Sequence, residues 1–304
     1  MSAGNAPPQP VVPAVAGGQQ CAAASTPKAA TNTAEAQPLP PDSWKLASRA
    51  TKPEDTVVRV GPVAIGGHEP FVIMAGPCSV ETPEQVSATA RHVRGHGARI
   101  LRGGVFKPRT SPYSFQGLGF AGLDLLARAG HENGMPVVTE VMAPEQVERV
   151  AAVSDILQIG ARNMQNFDLL KECGRARKPV LLKRGLSASV DELLSAAEYV
   201  LAHGNQDVIL CERGIRTFET SMRATLDLGS VVVLRERTHL PVIVDPSHAA
   251  GKRRWVAPLA RAAKAIGAHG IIVEVHPDPP RALSDAEQAL SFEDFAELVA
   301  SLAT

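Results

Sequence analysis

Residues 135–160 read MPVVTEVMAPEQVERVAAVSDILQIG and contain two short apolar runs separated by an amphipathic stretch. The runs at 136–139 and 156–159 show little polar alternation, which is typical of strands buried on both faces of a parallel sheet. The stretch between them, 144–153, repeats its apolar residues with the period of a helix. This segment therefore predicts one strand–helix–strand unit of a parallel sheet.

The same unit recurs along the rest of the chain. Further short apolar runs predict strands at 71–75, 100–101, 179–182, 208–210, 241–244 and 271–273. Helical periodicity lies between and after the strands, at 83–95, 122–129, 166–173, 190–201, 219–228, 256–266 and 292–302, and the pattern at 219–228 is the weakest of these. Eight such units in about 250 residues match a (β/α)8 barrel, whereas a doubly wound sheet usually has five or six strands. We therefore predict an α/β protein with a TIM barrel over residues 51–304 and a short N-terminal β extension.

Residues 1–50 differ from the rest of the chain. They are rich in Ala, Pro, Gln, Thr and Ser, and Lys28 is the only basic residue before Lys45. Such a segment buries too little apolar surface to offset the entropy of ordering it, so we predict a disordered tail. The tail also lacks the charge pattern of a signal or transit peptide.

Composition excludes several classes of function. The chain has 31 basic and 31 acidic residues and only 4% aromatic residues, so neither nucleic acid nor a membrane surface is an expected partner. No apolar run approaches the roughly 18 to 20 residues that span a bilayer. The four cysteines are widely and irregularly spaced, which excludes a disulfide scaffold and indicates a reducing compartment, the cytoplasm.

Cationic side chains follow most of the predicted strands. Active sites of TIM barrels form at the carboxyl ends of the strands, so these side chains are expected to converge. Arginine and lysine bind phosphate and carboxylate groups well, and several cations at one opening would repel one another without an anionic ligand. The set predicts a substrate that carries phosphate and carboxylate groups: Arg102, Lys107, Arg109, Arg162, Lys183 and Arg213.

A second set suits a metal ion. It comes from the first, seventh and eighth strands, which adjoin when a barrel closes. Thiolate, imidazole and carboxylate ligands together fit a borderline divalent metal such as Mn, Fe, Co or Zn. His276 is a competing imidazole, but His248 is preferred because it lies in the loop above the barrel rim. The predicted ligands are Cys78, His248, Glu274 and Asp285.

A glycine pattern at Gly117, Gly119 and Gly122, with Glu140 about 20 residues on, fits a dinucleotide-binding fingerprint. We reject nucleotide binding, because that fingerprint opens a helix directly after a strand and here about ten residues intervene. The basic turn at 251–254 is either a phosphate site or a solvated loop.

Six segments together resemble the type I 3-deoxy-D-arabino-heptulosonate 7-phosphate (DAHP) synthases, and more closely their β subgroup. The resemblance runs in order along about residues 45–290. The segments are GPCSVE (76–81), LRGGVFKPRTSP (101–112), QIGARN (158–163), LKRG (182–185), CERG (211–214) and DPSH (245–248).

This resemblance implies a cytoplasmic transferase with a (β/α)8 barrel. The implied reaction condenses phosphoenolpyruvate with D-erythrose 4-phosphate to DAHP and phosphate, the first step of the shikimate pathway and of aromatic amino-acid biosynthesis. It implies one divalent metal ion (Mn, Co, Fe or Zn), held by the four ligands given above. It also implies a homo-oligomer, either dimer or tetramer, and leaves room for a separate regulatory protein.

The resemblance also assigns roles to individual residues. Lys107 is the implied proton donor, and Glu140 is expected to orient a water molecule. The erythrose 4-phosphate site falls on Arg109, Thr110 and Ser111. The phosphoenolpyruvate site falls on Arg102, Lys107, Ala161, Arg162, Lys183, Glu212 and Arg213.

Two alternatives remain open at the level of sequence. The first is a 3-deoxy-D-manno-octulosonate 8-phosphate synthase, which performs the same chemistry on arabinose 5-phosphate. The segment KPRTS at 107–111 favours the four-carbon sugar. The second is a catalytically silent barrel that serves as a binding module.

Overall fold

A computed structural model of the chain describes Met1, residues 43–108 and residues 111–303. An antiparallel hairpin of strands β1 (Val58–Val60) and β2 (Val63–Ile65) comes first. Eight parallel strands then form a closed barrel in chain order, which confirms the predicted TIM barrel and its short β extension. The barrel strands are β3 (Val72–Gly76), β4 (Ile100–Arg102), β5 (Val137–Val141), β6 (Ile156–Ile159), β7 (Val180–Lys183), β8 (Val208–Glu212), β9 (Val242–Val244) and β10 (Gly270–Glu274).

Helices surround the barrel. Among the described residues, no helix is both long enough and apolar enough to cross a membrane. Helix starts follow local chemistry: Thr82 caps the first helix through its side chain, and Ser189 and Glu192 form a capping box on the fifth. The helices are α1 (Pro83–Gly95), α2 (Phe120–Glu132), α3 (Pro144–Ala151), α4 (Phe167–Ala176), α5 (Val190–Ala202), α6 (Leu228–Arg237), α7 (Pro246–Ala250), α8 (Arg253–Ala265) and α9 (Phe292–Ala303).

The barrel interior is a packed core that the hairpin extends. Val58 and Ile65 of the hairpin are fully buried and belong to the same apolar cluster as Met74, Ile100 and Ile209 of the barrel strands. Side chains fill the interior in this way in TIM barrels generally, so the centre is not a pore. A ligand therefore has no room in the barrel centre, and the carboxyl ends of the strands are where TIM barrels place their sites.

The barrel closes between its last and first strands. β10 pairs with β3 over five residues, from Gly270 opposite Val72 to Glu274 opposite Gly76. Gly76 permits a very close approach to the next strand, because a Cβ atom there would lie 2.0 Å from the carbonyl oxygen of Arg102. The segments after β3 and β10 consequently emerge side by side.

The predicted helix at 219–228 was wrong. The helix after the sixth barrel strand is α6, Leu228–Arg237, and the residues before it form a loop. Asp227 caps α6 by accepting a hydrogen bond from the Ser230 N–H, and Val231 and Leu234 bury its inner face. The helix therefore begins at Leu228, where the predicted helix ended.

Residues 44–50, which the sequence analysis assigned to the tail, contact the barrel. Ala47 is fully buried, and the amides of Leu46 and Ala47 donate to the Glu198 carboxylate at 2.8 and 2.9 Å. The packed part of the chain thus begins earlier than the predicted boundary at residue 51. Most of the predicted tail lies outside the described residues, and the division into tail and barrel stays a prediction.

Candidate active site

A cavity of about 450 Å³ opens at the carboxyl end of the barrel. Most of the residues predicted to form the site line it. Arg109 and Thr110 lie outside the described residues, and Cys78, Glu212 and Glu274 do not line the cavity. The predicted residues that do are Arg102, Lys107, Ser111, Glu140, Ala161, Arg162, Lys183, Arg213, His248 and Asp285.

Four of the cavity cations are buried: Arg102, Lys107, Lys183 and Arg213 are each 8% exposed or less. Lys183 is paired with Asp245, and Arg102 donates to Glu274 at 3.1 Å. Arg213 instead donates to the His248 carbonyl at 3.1 Å, and burial lowers its pKa because the charged form is poorly solvated there. The cavity therefore keeps positive charge that an anionic ligand would neutralise.

Arg102 and Arg162 retain donors for a ligand. The Nε atom of Arg102 is buried, and no described residue accepts a hydrogen bond from it. A buried donor without a partner is costly, so a ligand that accepts this bond would be favoured. Arg162 is exposed at the cavity wall and forms no ion pair within the described ranges.

Lys107 reaches across the cavity to Cys78. Its Nζ donates to the Cys78 carbonyl oxygen at 2.9 Å and to Sγ at 3.0 Å. Gly104 makes room for this path, because a Cβ atom there would lie 3.1 Å from Lys107 Nζ and 2.7 Å from the Cys78 carbonyl oxygen. The Lys107 amine is thus held where β3 and β4 end.

Three of the four predicted metal ligands form one cluster. One donor atom from each of Cys78, Glu274 and Asp285 lies within 4.8 Å of the others. The Cys78 thiol donates to Asp285 Oδ2 at 3.0 Å and lies 3.1 Å from Ser284 Oγ. The cluster thus joins the two segments that emerge at the closure of the barrel.

The fourth predicted ligand, His248, touches the edge of this cluster. Its Nε2 lies 3.3 Å from Glu274 Oε1, while its Nδ1 lies 2.7 Å from Asp245 Oδ2. Burial lowers the pKa of His248 although both carboxylates oppose this. A neutral ring with its proton on Nδ1, facing Asp245, directs the Nε2 lone pair at the cluster, as a metal-binding histidine does.

The donors of the cluster fit a divalent ion. Burial, followed by the nearby Glu274 carboxylate, raises the pKa of the Cys78 thiol to about 12. The pKa of Asp285 is lowered despite its burial, because His248, the Cys78 thiol and Arg223 favour its charged form. A soft sulfur, an imidazole and two carboxylates suit a borderline cation, which would also stabilise the thiolate.

The competing imidazole, His276, has one nitrogen bonded and one without a hydrogen-bond partner. Its Nδ1 accepts from the Asp278 amide at 3.0 Å, whereas its buried Nε2 lies 3.4 Å from Glu81 Oε2 and forms no hydrogen bond with any described residue. The choice of His248 over His276 stays a prediction.

Glu140, on β5, also lines the cavity. Its Oε2 accepts from Gln158 Nε2 at 3.3 Å. Gly160, directly after β6, leaves the space that the carboxylate occupies, because a Cβ atom there would lie 2.1 Å from Glu140 Oε1. A carboxylate in this position can orient a water molecule within the cavity.

Sequence reasoning missed several residues of the site. Arg216 and Arg223 line the cavity from the loop before α6, of which only 219–227 had been predicted as helix, and Gln158 lies beside Glu140. Gln288 contacts Glu274 from the segment after β10. Gln158 could have been identified from the sequence, because a polar residue inside a buried strand is unusual. The spacing of the sequence does not single out Arg216, Arg223 or Gln288.

Comparison with known proteins agrees with this architecture. Residues 47–304 match the DAHP synthetase I family. The chain is 56% identical over 256 residues to the phospho-2-dehydro-3-deoxyheptonate aldolase of Thermotoga maritima, which covers 84% of this chain and 75% of the relative. It is 35% identical over 254 residues to a 2-dehydro-3-deoxyphosphooctonate aldolase of Syntrophotalea carbinolica, covering 78% of this chain and 91% of that one.

Solved structures give the same relationship. The crystal structure of the Thermotoga maritima enzyme, called DAHP synthase, matches with a TM-score of 0.84 and 54% identity over 87% of this chain and 77% of its own. A truncated form of the 3-deoxy-D-arabino-heptulosonate 7-phosphate synthase from Thermotoga maritima matches with a TM-score of 0.81 and 50% identity, covering 86% and 95% of the two chains. On this sequence and structural evidence, the chain belongs to the DAHP synthetase I family.

Proposed function

We propose that this chain condenses phosphoenolpyruvate with D-erythrose 4-phosphate to give DAHP and inorganic phosphate. The observation that carries the proposal is the cavity itself, where buried cations adjoin a cluster of thiol, imidazole and carboxylate groups. The high identity to the Thermotoga maritima enzyme over 84% of the chain supports the choice of reaction.

Phosphoenolpyruvate brings a carboxylate and a phosphate group into the cavity. Arg102, Lys183 and Arg213 are buried there and would neutralise these groups with charge-assisted hydrogen bonds. Arg162 would add a flexible contact at the cavity wall. Holding the anion fixed beside the second substrate removes much of the entropic cost of bringing two molecules together.

The condensation forms a bond between the vinyl carbon of phosphoenolpyruvate and the aldehyde carbon of the sugar. The aldehyde oxygen becomes an alkoxide and takes a proton, for which Lys107 is the proposed donor. Water then adds to the carbon that carries the phosphate, and the bond from this carbon to the phosphate oxygen breaks. Glu140 is the proposed residue that orients this water.

A divalent ion would be held by Cys78, His248, Glu274 and Asp285. When bound, it supplies Lewis-acid polarisation of the sugar aldehyde. Asp245 keeps the Nδ1 proton of His248 in place, and Arg102 donates to Glu274 from the side where phosphoenolpyruvate is expected. The phosphoenolpyruvate site and the ligand cluster therefore share a hydrogen-bonded boundary.

The choice of sugar is tested with both aldehydes. Purified protein supplied with phosphoenolpyruvate and added Mn or Co should release phosphate faster with erythrose 4-phosphate than with arabinose 5-phosphate. Faster turnover of the five-carbon sugar would favour the octulosonate reaction instead. A protein that releases no phosphate with either sugar would be a binding module.

The anion site is tested with a matched pair of arginines. Arg162→Ala should raise the apparent KM for phosphoenolpyruvate and leave the unfolding midpoint nearly unchanged, because the side chain is exposed at the cavity wall. Arg175→Ala, which removes an exposed arginine paired with Glu172 on α4, serves as the control and should change neither. An unchanged KM in Arg162→Ala would remove this residue from the site.

The cytoplasmic location, the homo-oligomeric state and the identity of the metal ion stay predictions from the sequence.

A further inference from the structure

Gln288 is a buried amide that the reaction chemistry does not use. It is 2% exposed and lies between β10 and α9. Its Nε2 donates to Glu274 Oε2 at 2.6 Å, and its Oε1 accepts from Arg223 at 2.7 Å. Both ends of the amide are thus engaged, which fixes its orientation.

Arg223 completes a ring of contacts beside the ligand cluster. The same Arg223 nitrogen that donates to Gln288 also donates to Asp285 Oδ1 at 2.9 Å. The ring therefore runs from Glu274 through Gln288 and Arg223 to Asp285.

In each carboxylate, one oxygen contacts the ring and the other contacts the cluster. Glu274 Oε2 accepts a hydrogen bond from Gln288, while Oε1 lies 3.3 Å from His248 Nε2 and 3.1 Å from Arg102. Asp285 Oδ1 accepts from Arg223, while Oδ2 accepts from the Cys78 thiol at 3.0 Å. The ring thus determines which oxygen of each carboxylate faces the cluster.

The backbone around Arg223 is tied to the helix that carries His248. The Arg223 and Ala224 amides donate to the carbonyls of Ala250 and Ala249 at the end of α7, at 3.4 and 3.0 Å. Gly251 has a φ of +68°, and a Cβ atom there would lie 2.6 Å from the Arg223 Cβ. The segments bearing His248, Glu274 and Asp285 are consequently linked through Arg223, in the case of Glu274 by way of Gln288.

We propose that Gln288 and Arg223 are positioning residues that hold the Glu274 and Asp285 carboxylates in the orientation needed to bind a divalent ion. This inference rests on the metal site given under the proposed function. The Gln288 amide gives Glu274 a further donor without adding to the positive charge that Arg102 and Arg223 already place beside the two carboxylates. Partners of this kind behind metal ligands typically strengthen metal binding 10- to 100-fold.

The test measures metal affinity without substrates. Co²⁺ is titrated into metal-free protein at fixed pH against a competing chelator, and the thiolate-to-cobalt absorption is recorded. The proteins are the wild type, Gln288→Leu, Arg223→Leu, the double variant, and Gln206→Leu as a control at an exposed glutamine. Each single substitution in the ring should weaken Co²⁺ binding at least 10-fold and alter the spectrum, while the control should behave as wild type.

The double variant tests whether the ring acts as a unit. Its loss should be smaller than the product of the two single losses, because Gln288 also accepts from Arg223 and the two residues therefore hold each other in place. Strictly multiplicative losses, or wild-type affinity and spectrum in both single variants, would overturn the inference. If Gln288→Leu fails to fold, Arg223→Leu carries the test, since this side chain is 39% exposed.

The outcome also separates this inference from the proposed metal site. If Cys78→Ala binds Co²⁺ as tightly as the wild type does, both the metal site and the role of the ring are rejected. Binding that depends on Cys78 but not on Gln288 or Arg223 would leave the metal site intact and reject only the positioning role.

Discussion

At the scale of single residues, Gly160 shows how a missing side chain makes room for a functional one. Its φ of −68° is accessible to any residue, so the backbone alone does not require glycine. The constraint is the Glu140 carboxylate, whose Oε1 would lie 2.1 Å from an added Cβ atom. A side chain at this position should therefore displace the Glu140 carboxylate.

Gly160→Ala should lower kcat at least about 10-fold, because general acid–base or water-orienting groups contribute roughly 10²- to 10⁴-fold. The free energy of unfolding should change little, since the carboxylate can move into the open cavity. In a Glu140→Ala background the same substitution should have almost no further effect on kcat. Steady-state rates and urea unfolding of the two single variants and the double variant measure this.

Gly95→Ala provides the control for this experiment. It adds the same methyl group at the end of α1, where nothing lies within 4 Å of the new atom. Equal kcat losses from Gly160→Ala with and without Glu140 would show that the glycine acts on something other than this carboxylate.

The predictability of individual site residues depended on where they stand in the chain. Arg102, Lys183 and Glu274 end barrel strands, and a parallel barrel brings all such positions to one rim. Gln288 and Arg223 stand in irregular segments, where no period relates sequence position to direction. Their convergence depends on loop conformation, which the sequence pattern does not encode.

At the scale of elements, strands were easier to predict than the segments between them. The run at 156–159 is apolar apart from Gln158 and lies between Asp155 and Gly160, so its limits were predicted correctly. Helix α6 was misplaced because the loop before it also contains spaced apolar residues. The side chain of Asp227, which caps the helix, was the signal that would have corrected the start.

The segment 44–56 illustrates how a loop can stabilise a helix end. Arg49 donates to the carbonyl oxygens of Arg235 and Thr238 at the end of α6, at 3.0 and 2.8 Å. It also pairs with Asp55 at 2.7 Å. The last carbonyl groups of a helix lack hydrogen-bond partners within the helix. A cationic side chain there donates hydrogen bonds to them and interacts favourably with the negative end of the helix dipole.

Arg49→Ala should therefore lower the free energy of unfolding by about 1 to 3 kcal/mol, the range expected for hydrogen bonds from a charged donor. Arg59→Ala is the matched control, because this arginine is 74% exposed and lies 3.9 Å from its partner Glu69. Such exposed pairs contribute about 0 to 1 kcal/mol. Urea denaturation compares the two, and equal losses would mean that the helix-end contacts contribute nothing measurable.

At the scale of the whole molecule, the ligand cluster lies across the closure of the barrel. Cys78 follows β3, and Glu274 ends β10, so the two sides of the cluster belong to the first and last strands of the barrel. These residues are far apart in the chain and meet only when the barrel closes. Folding thus assembles the site, and a bound ion should in turn stabilise the closed barrel.

Saturating Mn²⁺ or Co²⁺ should raise the free energy of unfolding by mass action, by about 2.7 kcal/mol at a free concentration 100 times the dissociation constant. A chelator should remove this increment. Cys78→Ala should abolish most of it, because the ligand on the β3 side of the closure is lost.

Cys173→Ala is the control: this cysteine is buried in the core between helix and barrel, so the variant should lose stability in every buffer yet keep the metal increment. Guanidinium unfolding of the three proteins with metal and with chelator measures this, and an increment that survives in Cys78→Ala would place the stabilising ion somewhere other than the barrel closure.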